Sequence, residues 1–334
     1  MRLSLHSRLW LACIILHFLS GCRTVETAGP LAYVSNERDG TITVINTVTD
    51  RVVSTIRVGA RPRGIRMSPD GSRVYVALST PSGRDYNQDD NKIAAIDVAS
   101  GRVVAKYDVG TDPEQLAVSR DGTKLYAANE DAGTASVFDL NTGRLIATLI
   151  VGIEPEGATI SPNGRWVYVT AETSNTVSVI DTEKDQVVAT FMVGSRPRDA
   201  AFSPDSTRAY VTAEIGRNVS VVETKTHTVI ETISLPDGSG IKPMGVVVSN
   251  DGQKVYVANG RGNSVTVIDA ATNKILTTIP VGQRTWGLAI TPDGRKVYAA
   301  NGISNDVSVI DTSTNQVVAT IKAGDGPWGI AIGH

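Results

Sequence analysis

Seven residues sit at one recurring position in this chain and carry most of its side-chain chemistry: Arg63, Glu114, Glu156, Arg198, Met244, Trp286 and Trp328. Each closes a short approach segment. These read Arg61-Pro62-Arg63-Gly64, Asp112-Pro113-Glu114-Gln115, Glu154-Pro155-Glu156-Gly157, Arg196-Pro197-Arg198-Asp199, Lys242-Pro243-Met244-Gly245, Arg284-Thr285-Trp286-Gly287 and Pro327-Trp328-Gly329. Adjacent arginines and glutamates can pair with each other between neighbouring units, or they can present alternating charge to a ligand. The two tryptophans can fill an apolar gap, or they can anchor a partner from a partly exposed rim. A second set of acids, Glu37, Glu130, Glu172 and Glu214, recurs at another fixed position.

The residue types also set limits. Of four histidines, two precede residue 22, which leaves only His227 and His334. A Ser-His-Asp arrangement or a histidine metal cluster is therefore not available at the recurring positions. Carboxylates alone could hold a hard cation such as calcium. Here they are spread over several units, so no metal and no cofactor is expected. No glycine-rich phosphate loop occurs.

The elements that position these residues are read most clearly in the last complete repeat, Trp286 to Gly324. Gly287 to Thr291, Lys296 to Ala300, Asp306 to Asp311 and Gln316 to Ala323 are apolar runs rich in Val and Ile. Turn chemistry separates them, beginning with Pro292-Asp293-Gly294. Alternation of apolar and small polar residues marks half-buried strands. Four strands in one meander leave two open edges and a bare apolar face, so one repeat cannot stand alone. The closing dipeptide of the third strand recurs from Ile45 and Ile96 through Phe138, Ile180, Val222 and Ile268 to Ile310, at spacings of 51, 42, 42, 42, 46 and 42. Seven four-stranded copies predict an all-β, seven-bladed β-propeller over residues 31–334. Residues 31–58 supply three strands of one blade and residues 329–333 the fourth, which closes the ring. The long spacings come from insertions at Ser79 to Asn91 and Pro236 to Ile241, both on the face that carries the approach segments.

Residues 1–21 stand outside this pattern. Arg2 and Arg8 precede an apolar run, Leu9 to Leu19, that is too short to span a bilayer, and Leu19-Ser20-Gly21-Cys22 follows. The four residues resemble a bacterial lipobox, which implies a signal peptide over 1–21, lipidation of Cys22 and a tether over 22–30. The alternative is ordinary secretion with Cys22 a free thiol. Arg23 is not the aspartate of an inner-membrane retention signal, so a periplasmic, outer-membrane location is expected, with the membrane reached only through the lipid. Without Arg2 and Arg8 the chain has 30 basic against 34 acidic residues, a net charge of −4. No basic stripe appears, so nucleic acid is excluded as a partner. A monomer is expected.

Segments such as Val177 to Thr182 and Lys254 to Asn259 resemble YVTN-type propeller repeats. The approaches at Arg61, Asp112, Glu154 and Arg196, with Ser35-Asn36-Glu37, Asn129-Glu130-Asp131, Glu214-Ile215-Gly216 and Gly302 to Asp306, resemble the propeller proteins associated with PQQ-dependent catabolism. That resemblance implies an exported, non-catalytic accessory of a quinoprotein alcohol oxidation system, binding a periplasmic protein or small ligand at its loop-rich face. The lipobox and the 79–91 insertion depart from that family. The alternatives are a metal-dependent, lactonase-like hydrolase, with carboxylates converging on a metal in the channel mouth, and a structural envelope or surface-layer module.

Overall fold

A tyrosine flanked by small apolar residues recurs in the second strand of each repeat. It occupies the seam between one unit and the next. In the computed structural model, which describes residues 29–80, 87–236 and 240–333, Tyr33, Tyr75, Tyr126, Tyr168, Tyr210, Tyr256 and Tyr298 are all buried. Each side chain fills a seam cluster; Tyr33, for example, packs with Ile65, Val74 and Val76. Side chains of this kind contribute roughly 1.5–3 kcal/mol each on full burial. The seams therefore join the units, and the repeats close into a ring of seven four-stranded antiparallel sheets.

Blade 1 combines Leu31–Asn36, Thr41–Asn46 and Arg51–Arg57 with Pro327–Ile332 from the other end of the chain. The closing strand starts two residues earlier than the sequence predicts, because Pro327 still pairs with Asn36. The innermost strands of blades 2 to 7 are Pro62–Met67, Pro113–Val118, Pro155–Ile160, Pro197–Phe202, Val246–Val248 and Thr285–Ile290. Blade 6 has the short one. There the Met244 amide donates to Ala258 O at 2.8 Å, just before the strand begins. Burial falls from the axis outward: Pro113–Val118 is buried throughout, whereas the outermost strand Gln186–Met192 alternates exposed and half-buried.

The strand ends divide the molecule into two faces. The approaches and the ends of the second strands meet at the channel mouth. On the opposite face, Lys296 Nζ donates to Thr47 O at 2.9 Å and reaches Asp50 at 2.7 Å, while the Tyr298 hydroxyl donates to Asp50. Lys124 and Tyr126 hold Asp185 in the same way. The chain enters the fold on this second face, where the Gly333 amide donates to Leu31 O at 2.9 Å. His227 lies there too, bonded to the Tyr168 hydroxyl at 2.7 Å. Cys22, His334, residues 81–86 and residues 237–239 lie outside the described residues.

Candidate functional site

A β-bulge aims the mouth residue in six of the seven blades, all but blade 6. In blade 2 the ladder steps from Pro62↔Leu78 to Ile65↔Val76, so Arg63 and Gly64 together oppose Ala77. The same shift occurs in blades 3, 4, 5 and 7 and in the closing strand of blade 1. A bulge leaves one residue out of the ladder and turns its side chain, here toward the axis. The glycine after it permits ring closure: a Cβ at Gly157 would lie 2.6 Å from Arg198 O on the next blade. Before the bulge, Arg61, Asp112, Glu154, Arg196 and Arg284 adopt left-handed φ values between 41° and 61°. Such backbone is costly outside glycine and concentrates at functional sites.

The mouth holds two ion-pair clusters. In the first, Glu37 Oε1 lies 3.1 Å from Arg61 Nε and 3.0 Å from Arg63 Nε. Arg61 also reaches Asp112 Oδ1 at 2.8 Å, and Arg63 pairs with Glu114. Burial works to raise the pKa of Glu37, but the two guanidinium groups outweigh it and hold it below the usual carboxylate value. In the second cluster, Arg196 Nε lies 2.6 Å from Glu172 and 3.2 Å from Glu214. Arg198 pairs with Glu156 and Glu172, and Lys242 stands 3.5 Å from Glu214. The arginines and glutamates of neighbouring blades thus pair with each other.

Met244, Trp286 and Trp328 complete the circle. The two indoles stack at 6.1 Å and 25°. Arg63 lies over Trp328 at 5.6 Å, and Arg198 and Arg284 lie over Trp286 at 5.8 and 4.5 Å. Trp328, Met244, Glu114, Glu156 and Arg198 are buried; only Arg63 and Trp286 are half-exposed. The seven residues therefore plug the channel just below its mouth rather than standing on an open rim.

Glu130, half-buried at the end of the second strand of blade 3, is the exception among the acids. Among the described residues it makes no ion pair. Burial, then Glu156 and Asp112, push its pKa up to about 7 against Arg63 and Arg198. Its carboxylate lies within 4.8 Å of Asp112 and Glu114, the one group among the described residues with the spacing to hold a cation. The donor type suits a hard ion, but Arg61 and Arg63 already sit on two of the three.

The profile of a family described as "Lactonase, 7-bladed beta-propeller" matches residues 20–149 and 182–322. The chain belongs to this family. The stretch between the two matched segments, residues 150–181, contains three of the four strands of blade 4, with Glu156 and Glu172, and the closing strand with Trp328 also lies outside the match. No curated protein matches the chain. Among solved structures, one from Desulfotomaculum acetoxidans of unknown function is 20% identical, covering 92% of this chain and 99% of that one at a TM-score of 0.78. A suspected 6-phosphogluconolactonase from Bacteroides uniformis is 20% identical, covering 91% and 100% at 0.76. Hydrazine synthase of Kuenenia stuttgartiensis is 23% identical, covering 81% and 89% at 0.72. At such identities these likenesses show the fold alone.

The lactonase-family propeller brings all seven mouth residues and the four second-strand acids onto one face. Arg61, Arg196 and Arg284 read in the sequence only as approach residues, yet Arg61 and Arg196 complete the two clusters and Arg284 covers Trp286. Their signal was a charged residue two places before the mouth position in successive repeats. The special standing of Glu130 had no such signal, because its three counterparts have the same residue type.

Proposed function

We propose that this propeller hydrolyses a lactone at the channel mouth, with Glu130 as general base. The observation that carries the reading is the setting of Glu130: burial and the neighbouring Glu156 and Asp112 push its pKa up to about 7, and it makes no ion pair among the described residues, whereas arginines hold Glu37, Glu114, Glu156, Glu172 and Glu214. A base is most effective when its pKa lies near the working pH. In this scheme ionised Glu130 takes a proton from water as the water oxygen bonds to the lactone carbonyl carbon. Arg63 and Arg198, whose charges act on Glu130, stabilise the oxyanion. The ring C–O bond then breaks, and the proton on Glu130 passes to the leaving alkoxide to give a hydroxy acid. No metal is needed in any of these steps.

Glu130→Gln tests the scheme with glucono-δ-lactone and 6-phosphogluconolactone as substrates. The expected result is a loss of kcat/KM of about 10²–10⁴-fold in a chain that still folds. In the wild type, kcat/KM should rise with pH through about 7 as the base ionises. Full activity in Glu130→Gln would overturn the scheme.

A second reading keeps the mouth as a docking face, in line with the resemblance to accessories of PQQ-dependent alcohol oxidation. It is favoured by Ile153, Ile215 and Ile303, which are 61%, 56% and 58% exposed on loops of the mouth face. Ile215→Asp with Ile303→Asp should abolish co-purification with a quinoprotein dehydrogenase and leave lactone turnover intact. Retained co-purification would remove this reading.

A further inference from the structure

Below the plug, the axial channel opens again toward the opposite face. Three places after each mouth residue the chain carries Ala117, Thr159, Ala201, Val247, Ala289 or Ala331 in six blades, and Arg66 in blade 2. One place after the mouth residue stands glycine in five blades, but Gln115 in blade 3 and Asp199 in blade 5. Arg66, Gln115 and Asp199 all line one axial cavity of about 320 Å³, whose other walls are mostly apolar and include Phe202, Leu288 and Ile330. Thr159, Ala201, Val247, Ala289 and Ala331 leave the space open, and the three exceptions supply most of its polarity.

The polar groups of this cavity are not used up by one another. Among the described residues, Arg66 makes one hydrogen bond, from Nη1 to Ile65 O at 2.9 Å, and no ion pair. Burial pulls its pKa down, against the attraction of Asp199. Asp199 already accepts from the Ala200 amide at 2.9 Å and the Val246 amide at 3.3 Å, and burial pushes its pKa up. Gln115 Oε1 is buried without a hydrogen-bond partner. A guanidinium has five donors in a fork that fits a carboxylate, and a buried orphan oxygen calls for a donor. A ligand satisfying both must carry an anionic oxygen pair and a hydroxyl. The volume is at the lower end of the range of small-molecule sites.

We propose that this cavity binds a small hydroxycarboxylate, its carboxylate on the Arg66 guanidinium and its hydroxyl donating to Gln115 Oε1. The site lies on the far side of the plug from Glu130 and does not depend on the reaction assigned to the mouth. Calorimetric titration of the full chain with malate, glycolate and acetate tests it. Malate and glycolate should bind the wild type, and acetate, lacking the hydroxyl, should bind more weakly. Arg66→Met should weaken malate at least tenfold, Gln115→Leu should erase the preference for glycolate over acetate, and Glu130→Gln should bind malate as the wild type does. Arg66→Met should also melt no lower than the wild type, since it removes a half-buried charge that makes no ion pair among the described residues. A wild type that binds no probe at millimolar concentration overturns the proposal. So does an Arg66→Met chain that binds malate equally well or melts far lower, because the arginine would then be either uninvolved or a strut of the fold.

Discussion

Glu130 couples the chemistry of the mouth to the stability of the ring. Its folded pKa of about 7 lies above the ordinary value of 4.5, because burial and two neighbouring carboxylates disfavour the charged form. The folded chain therefore holds a proton that the unfolded chain releases earlier. This contribution to stability is complete below pH 4.5 and is lost as pH rises through about 7. Glu130→Gln should flatten the melting temperature between those pH values relative to wild type. A variant whose pH–stability curve parallels the wild type would mean that the carboxyl is not perturbed. The tryptophans divide by burial. Trp328 is 4% exposed, so Trp328→Ala should cost about 3–5 kcal/mol. Trp286 is half-exposed, and Trp286→Ala should cost clearly less. Equal losses in denaturant titration would contradict the plug geometry.

At the scale of the element, the turns and the closing strand determine how the blades hold together. In the first turn of blade 2, Asp70 accepts from Ser68 Oγ at 2.6 Å and from the Ser72 amide at 3.0 Å, and these bonds bring its pKa down to about 2. Asp121, Asp205, Asp251 and Asp293 repeat the device. The closing strand has no substitute. Pro327–Ile332 pairs with Leu31–Asn36 on one side and packs against blades 2 and 7. Its removal leaves unpaired edges and an open ring. Deleting residues 327–334 should lower the thermal midpoint of the entire domain in one transition. A midpoint within error of wild type, or loss of a single separate blade, would show that closure does not couple the blades.

The whole molecule has a direction. The mouth opens on one face and the chain enters from the other, next to Leu31 and Gly333. Under the proposed lipid anchor at Cys22, the nine residues 22–30 span at most roughly 30 Å. The anchor would then hold the mouth away from the membrane and the Arg66 cavity toward it. Palmitate labelling should mark the wild type and not Cys22→Ala, and only the wild type should sediment with membranes. Equal labelling of both would remove the anchor and, with it, this orientation.

The repeat made the fold legible in the sequence. A period of 42 with four alternating apolar runs admits only stacked meanders, and a missing strand at one end matched by a spare strand at the other admits only a closed ring. Equivalent positions also told which residues would share the mouth, since a repeat places them at equal depth around one axis. What the repeat could not decide was how those residues differ from one another. Glu37, Glu130, Glu172 and Glu214 are alike in type and position, yet arginines of the next approach reach Glu37 and Glu172, Arg196 of its own approach and Lys242 of the next reach Glu214, and Glu130 has no ion pair among the described residues. The burial of Trp328 and Glu114, and the meeting of Arg66, Gln115 and Asp199 in one cavity, have the same origin. They depend on distances between blades, which arise only when the ring closes and side chains far apart in sequence are forced into a common low-dielectric space.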